Sequence, residues 1–226
     1  RVCGLRPTRQ RVALADLPRI ERVRLTYDYP DWTGLASEVD EESRDIRAVS
    51  GTKVSIEIES DGPLEEPLLV HDGRSETLAA NGRTNVGTLA IEKPGTYHIA
   101  ATVAGERVAL SDEYAIEIVP DEKPIVQIER PGRDWRATNI EEVPVRVRAE
   151  DDFRLQRVEL RYSINGGEWR SLPLDRGIKE TRKQTLLELE KLGEQHQQAS
   201  GSALLAPGDL ISYYAVAKDH KHSVQT

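Results

Sequence analysis

Two stretches of this chain place a proline–glycine turn immediately before a strand entered through tyrosine, and few folds accommodate that order twice. The first is IEKPGTYHIAATV, residues 91 to 103, and the second is LLAPGDLISYYAVAKD, residues 204 to 219. Pro207, Gly208 and Asp209 supply turn chemistry, and Leu210 to Lys218 then carries the β-branched and aromatic residues of a strand. A tyrosine entering a strand after a tight turn is how the tyrosine corner of an immunoglobulin-like sandwich reads. The repeat predicts an all-β chain of two tandem immunoglobulin-like or fibronectin type III-like β-sandwiches. In the second copy Tyr213 or Tyr214 is expected to bond backbone near the Pro-Gly turn.

The rest of the chain alternates with period two wherever it is apolar. Val54, Ile56 and Ile58 point one way in GTKVSIEIES while Lys53, Ser55, Glu57 and Glu59 point the other. Val23, Leu25 and Tyr27 do the same in ERVRLTYDYP, and Val143, Val145, Val147 and Ala149 in VPVRVRAEDDF. Seven short strands at intervals of about ten residues make one sandwich of roughly 100 residues, so 226 residues hold two. The polar, proline-bounded PDEKP at 120 to 124 is the short linker. The expected layout is a linker or tail of a preceding domain over 1–17, sandwich one over 18–120, and a truncated sandwich two over 121–226. No strand is read after residue 218, so the second sandwich is expected to lack its last one.

One hairpin and one ambiguous segment complete the second half. Asn165, Gly166 and Gly167 tolerate the positive φ of a tight turn, joining RVELRYSI to a returning strand that begins near Trp169. Residues 175 to 200 contain good helix formers, yet a sandwich needs a strand before its tyrosine corner. The reading is a strand through about Leu189, a helical turn near Glu190 to Gly193 and a loop to Ser202. The alternative is a helix over 178–197.

Charged residues make up 31% of the chain and its formal net charge is −8, which disfavours nucleic acid and anionic membranes as partners. No apolar run approaches the roughly 20 residues of a spanning helix. The chain starts at Arg1 and contains no methionine, so it reads as a piece of a longer protein. Cys3 is the single cysteine, which leaves no internal disulfide and no thiolate metal site.

In order along the chain, YPDWTGL, GTKVSIEI, DGPLEEPLLVHDG, EKPGTYHI, PDEKPIVQIERPG, AEDDFRLQRVELRYSINGG and LLAPGDLISYYAVAKD resemble the repeats of a family of large bacterial envelope proteins known as a domain of unknown function. The resemblance covers nearly all of residues 18 to 226, and QHQQASGSA before Leu204 is a longer insertion than the family pattern has. It implies extracytoplasmic immunoglobulin-like repeats in a membrane-anchored parent with spanning helices before them and coiled coils after. Other envelope proteins, or neighbouring domains of the same chain, are the implied partners. The family supplies no catalytic residues to carry over.

The residues themselves offer no enzyme signature. There is no G-x-S-x-G turn, no Walker loop, and no metalloprotease or zinc-finger spacing among His71, His98, His196, His220 and His222. The expectation is a non-catalytic module with no obligatory cofactor, acting as a spacer or protein-interaction surface. Strand polarity in such a sandwich brings Asp121 and Glu122, then Glu150, Asp151 and Asp152, then Asp219, His220 and His222 to the end of the second domain that carries the linker. Asp121, Asp151, Asp152 and Asp219 are therefore candidate calcium ligands, in a class of module that binds at about 10⁻⁴ to 10⁻³ M. Against this, Lys123, Arg154, Lys218 and Lys221 could neutralise the carboxylates, and Asp-Asp can simply cap a turn. His220 and His222 could hold a transition metal or lie on an ordinary loop. Trp135, between turn residues in RPGRDWRATN, and Trp32 are candidate sugar platforms; the alternative is that each covers the end of a core.

Overall fold

A computed structural model describes residues 16–200 and 204–226; the expected linker or tail over 1–17 falls almost wholly outside them. Two compact units emerge. The first comprises the residues up to Asp28 with Ser37–Val119, and the second comprises Tyr29–Ala36 with Pro120–Thr226. The short segment after the first strand thus groups with the second unit.

The first unit packs two sheets. One has the order β2-β1-β4-β8-β7, from β1 (Ile20–Asp28), β2 (Glu38–Asp40), β4 (Thr52–Ser60), β7 (Ala79–Asn81) and β8 (Thr84–Ile91). The other has the order β3-β11-β9-β5-β6, from β3 (Ile46–Val49), β5 (Glu65–His71), β6 (Arg74–Thr77), β9 (Gly95–Val103) and β11 (Tyr114–Val119), with β10 (Glu106–Ala109) also paired to β9. The period-two residues Val54, Ile56 and Ile58 are wholly buried, as the alternation requires. Strand β3 runs parallel to β11, with Ile46 opposite Ile116.

The second unit has the seven-strand layout of a fibronectin type III-like sandwich. Strands β12 (Ile125–Arg130), β13 (Glu142–Leu155) and β16 (Ile178–Glu188) form one sheet in the order β12-β13-β16. Strands β14 (Arg157–Ile164), β15 (Arg170–Asp175), β17 (Ile211–Lys218) and β18 (Ser223–Gln225) form the other in the order β15-β14-β17-β18. Val145, Val147, Ala149, Leu155, Val158, Leu160, Ala215 and Ala217 fill the space between them. Strand β18 stands where no strand was read from sequence: three residues, paired to β17 through Ala217 and Val224. Its brevity explains the miss, since SVQ shows no periodicity to detect.

Residues 178–188 form a strand, not a helix, paired along β13 from Thr181↔Ala149 to Glu188↔Glu142. The helix that follows, α1 (Leu189–Ser200), is longer than the single turn read from sequence. Leu189 and Leu192 bury against the core and hold its first turn in place.

The two tyrosine strands differ. Tyr97, at the start of β9, is fully buried and its hydroxyl donates to the Arg44 carbonyl at 2.5 Å. In the second unit the expected bond from Tyr213 or Tyr214 to backbone near Pro207–Gly208 is not formed among the described residues. The turn is tied instead by Asn165, whose Nδ2 donates to Asp209 Oδ1 and whose Oδ1 accepts from Leu210 N, both at 2.8 Å. Asp209 Oδ2 accepts from Ala206 N at 2.8 Å. Asn165 itself occupies the hairpin turn at φ 50°, followed by Gly166 at φ 69°. One asparagine therefore closes two turns, while Tyr214 bonds the Arg161 side chain and lies edge-on to Trp169 with ring centroids 4.7 Å apart.

Candidate functional site

The acidic residues singled out from sequence converge within the second unit. Asp219 follows β17 and is completely buried. Its Oδ1 accepts from Lys221 N at 2.6 Å and from His222 N, and its Oδ2 faces His222 Nδ1 at 3.0 Å. The Asp219 N–H donates to the His222 carbonyl at 3.1 Å, closing the β17–β18 turn. Asp219 Oδ1 thus receives two backbone donors while its Oδ2 faces the His222 ring.

Asp121 has no such support. Its side chain is 11% exposed, His222 Nδ1 lies 3.9 Å from its Oδ2, and both its oxygens are buried without a hydrogen-bond partner. Burial, with Asp219 and Asp152 close by, raises its pKa above the ordinary carboxylate value.

Asp151 and Asp152 sit on β13 itself. The ladder to β16 slips between Glu150↔Glu180 and Leu155↔Ile178, so three extra residues bulge out of the strand there. Asp151 is 8% exposed; its Oδ2 accepts from Phe153 N at 3.3 Å, while its Oδ1 is buried and unpartnered. Burial, followed by the charges of Asp152, Asp219 and Asp121, pushes its pKa up to about 6 although the Phe153 bond opposes the shift. Asp152 Oδ2 accepts from Glu122 N at 3.2 Å and its Oδ1 is again buried without a partner.

The cations expected to neutralise this group do not reach it. No lysine or arginine among the described residues forms an ion pair with Asp121, Asp151, Asp152 or Asp219, and Lys221 acts on Asp121 only as a distant charge. Arg154 runs instead beneath the Tyr29–Ala36 segment, where a Cβ on Gly34 would come within 3.0 Å of its Cδ. In that segment Trp32 stacks on His220 with centroids 4.8 Å apart and meets Phe153 edge-on at 5.4 Å. His220 is thereby turned towards the indole, and only His222 joins the acids. The grouping of residues 29–36 with the second unit had no sequence signal beyond YPDWTGL itself, which reads equally well as a turn.

The second candidate feature is a cleft of about 280 Å³ bounded by Arg130, Pro131, Arg133, Trp135, Val143 and Pro144. Trp135 is 51% exposed, and its Nε1–H donates to Glu141 Oε1 at 3.0 Å, which fixes the indole plane. The Glu141 pKa falls below its ordinary value because Trp135 and the Thr138 N–H both donate to it.

A buried ionic group on β14 carried no weight in the sequence. Glu159 is 3% exposed and accepts from Arg161 Nε at 2.7 Å and from Ser171 Oγ at 2.6 Å, with Arg157 Nε 3.6 Å away. Burial pushes its pKa up, but the Ser171 and Arg161 bonds outweigh burial and leave it lowered. The signal was the i, i+2 spacing of Arg157, Glu159 and Arg161, which puts all three on one face of a strand.

No family model and no curated protein matches the chain. Solved structures that align with it include the fibronectin(III)-like modules of Clostridium thermocellum CbhA, 16% identical with a TM-score of 0.28, covering 82% of this chain and 90% of that one. Rst D1-D2 aligns at 13% identity and a TM-score of 0.30, covering 81% of this chain and 94% of its own. At these values neither neighbour bears on what this chain binds. No helix among the described residues is long and apolar enough to cross a membrane.

Proposed function

We propose that this chain is a non-catalytic, extracytoplasmic immunoglobulin-like module of a membrane-anchored bacterial envelope protein, serving as a spacer and protein-interaction surface. The observation that carries the interaction role is strand β16. It is the outer strand of its sheet and has 11 residues, whereas the other strands at sheet ends, β2, β3, β6, β7, β12, β15 and β18, have 3 to 6. A long outer strand presents a row of unpaired backbone groups on which another chain can add a strand. Leu186, 42% exposed on β16, gives such a partner an apolar foothold. A photo-crosslinker at Leu186 in the native host is expected to give a discrete adduct with an envelope protein. Leu186→Lys should depress the same adduct formed from a crosslinker at Lys179. Absence of adducts, or adducts with cytoplasmic proteins alone, refutes the reading.

A second reading, carbohydrate binding, is favoured by Trp135, whose fixed, half-exposed indole borders a cleft edged by Arg130 and Arg133. Saturable glycan-array binding that disappears in Trp135→Ala supports it. Trp32 is less suited, since His220 already covers one face of its ring.

A further inference from the structure

The turn between β17 and β18 meets the chain leading into β12, and there an imidazole lies between two carboxylates. Asp121, Asp219 and His222 each offer one ligand atom, and these atoms lie within 4.8 Å of one another. His222 Nδ1 is 3.0 Å from Asp219 Oδ2 and 3.9 Å from Asp121 Oδ2. A tetrahedral ion with bonds of about 2.0 to 2.2 Å holds its ligand atoms roughly 3.3 to 3.6 Å apart, so one ion can span both gaps after small shifts.

The three groups arrive differently prepared. Asp219 is completely buried, and its Oδ1 is taken by the backbone N–H groups of Lys221 and His222, which leaves Oδ2 presented to the imidazole. Outer hydrogen bonds of this kind orient the carboxylate of a metal site. Asp121 has none. Both of its oxygens are buried and accept no hydrogen bond, and His222 Nδ1 at 3.9 Å is beyond hydrogen-bond reach. A carboxylate left so costs free energy, and folded proteins leave few of them. No lysine or arginine among the described residues pairs with either aspartate.

We propose that Asp121, Asp219 and His222 bind a divalent transition-metal ion, zinc, through one oxygen of each carboxylate and His222 Nδ1. An ionised carboxylate only accepts, so Nδ1 holds a proton in its contact with Asp219. The ion displaces that proton, the ring keeps one on Nε2, and Asp121 gains the positive partner that the chain withholds. Water completes the four positions. The nitrogen ligand separates zinc from calcium, which takes oxygen ligands and more of them. Bound there, zinc ties the chain entering β12 to the β17–β18 turn. This proposal is independent of the interaction role of β16.

The experiment is a thermal melt of the whole chain after chelator treatment, titrated separately with zinc, calcium and magnesium. Zinc is expected to raise the transition of the second unit saturably, by roughly 5 °C at about ten times its dissociation constant. Calcium and magnesium should shift it less. His222→Gln keeps a donor for Asp219 and should lose the zinc response. Asp121→Asn should fold, melt at or above the metal-free parent, and lose most of the same response, which separates loss of a ligand from loss of structure. Cobalt(II) added in place of zinc should give visible absorption that His222→Gln abolishes. No zinc shift up to about 1 mM overturns the proposal. So does a zinc shift undiminished in both variants, or a calcium response larger than zinc's.

Discussion

Among the described residues, Thr52, Ser60 and Asn85 are the buried polar side chains of the first unit, whereas the second buries Asp151, Glu159 and Asp219 beside Thr33, Ser163 and Thr181. The neutral set is satisfied cheaply by nearby carbonyls. Thr52 Oγ1 donates to the Val49 carbonyl at 2.8 Å and Ser60 Oγ to the Gly62 carbonyl at 2.7 Å. Only Asn85 Oδ1 is without a partner there among the described residues. The carboxylates of the second unit divide sharply: Glu159 and Asp219 are surrounded by donors, and Asp121, Asp151 and Asp152 are not. Burial raises the pKa of Asp121, Asp151 and Glu159 alike, and only at Glu159 do the hydrogen bonds it accepts outweigh that effect. Where the fold delivers donors, a buried charge is part of the packing; where it does not, the site is open to a proton or a cation.

The largest effect that could break this contrast is at Glu159. Glu159→Ala takes one acceptor from the half-exposed Arg161, which keeps Tyr214, and the carboxylate facing Arg157, and should cost about 2–3 kcal/mol in urea denaturation at pH 7, below the fully buried case because both arginines can rehydrate. An unchanged midpoint would mean that the ionic group is ornamental. Asp151→Asn should move stability the other way, by about 1–2 kcal/mol in chelator-treated protein at pH 7, because it removes a charge held without compensation while keeping an acceptor for Phe153 N.

The same pair predicts opposite pH responses. Asp151 has a folded pKa of about 6 against an ordinary value of 3.8, so between these limits the folded state holds more protons than the unfolded one. Its contribution is therefore present at low pH and lost as pH rises from about 4 to 6. Glu159, lowered in the fold, contributes above its ordinary value of 4.5 and loses that contribution as pH falls through its folded pKa. Metal-free stability profiles of Asp151→Asn and Glu159→Gln should each flatten one limb; flattening of the wrong limb would reverse the assignment.

Smaller effects test the tyrosines. Tyr97→Phe should cost about 1 kcal/mol in thermal melts by leaving the Arg44 carbonyl short of a donor. Tyr213→Phe, with no such bond, should lie within about 0.5 kcal/mol of the parent. Equal losses at both positions would show that the two strands are more alike than their hydrogen bonds.

Much of the sandwich was legible because period-two alternation is local: each inward residue of β4 and β13 announces its side without reference to the partner strand. The long strands of both units rest on that kind of signal and the Asn165 hairpin on its turn residues, whereas the first unit has eleven strands where seven were read and the short β18 was not read at all. The convergence of Asp121, Asp151 and Asp219 was legible as well, because it follows from strand polarity once the fold class is known. What could not be read is what depends on residues distant in sequence. Asn165, at a hairpin, takes over the turn at Pro207–Gly208 from Tyr213 across 44 residues. A slip of the β13–β16 ladder places Asp151 and Asp152 in a bulge. Sequence alone determined which residues are acidic and which end of the sandwich carries them. Tertiary structure alone decided which of them receive donors, because a donor is supplied by whichever segment happens to pack alongside, and no local pattern encodes that choice.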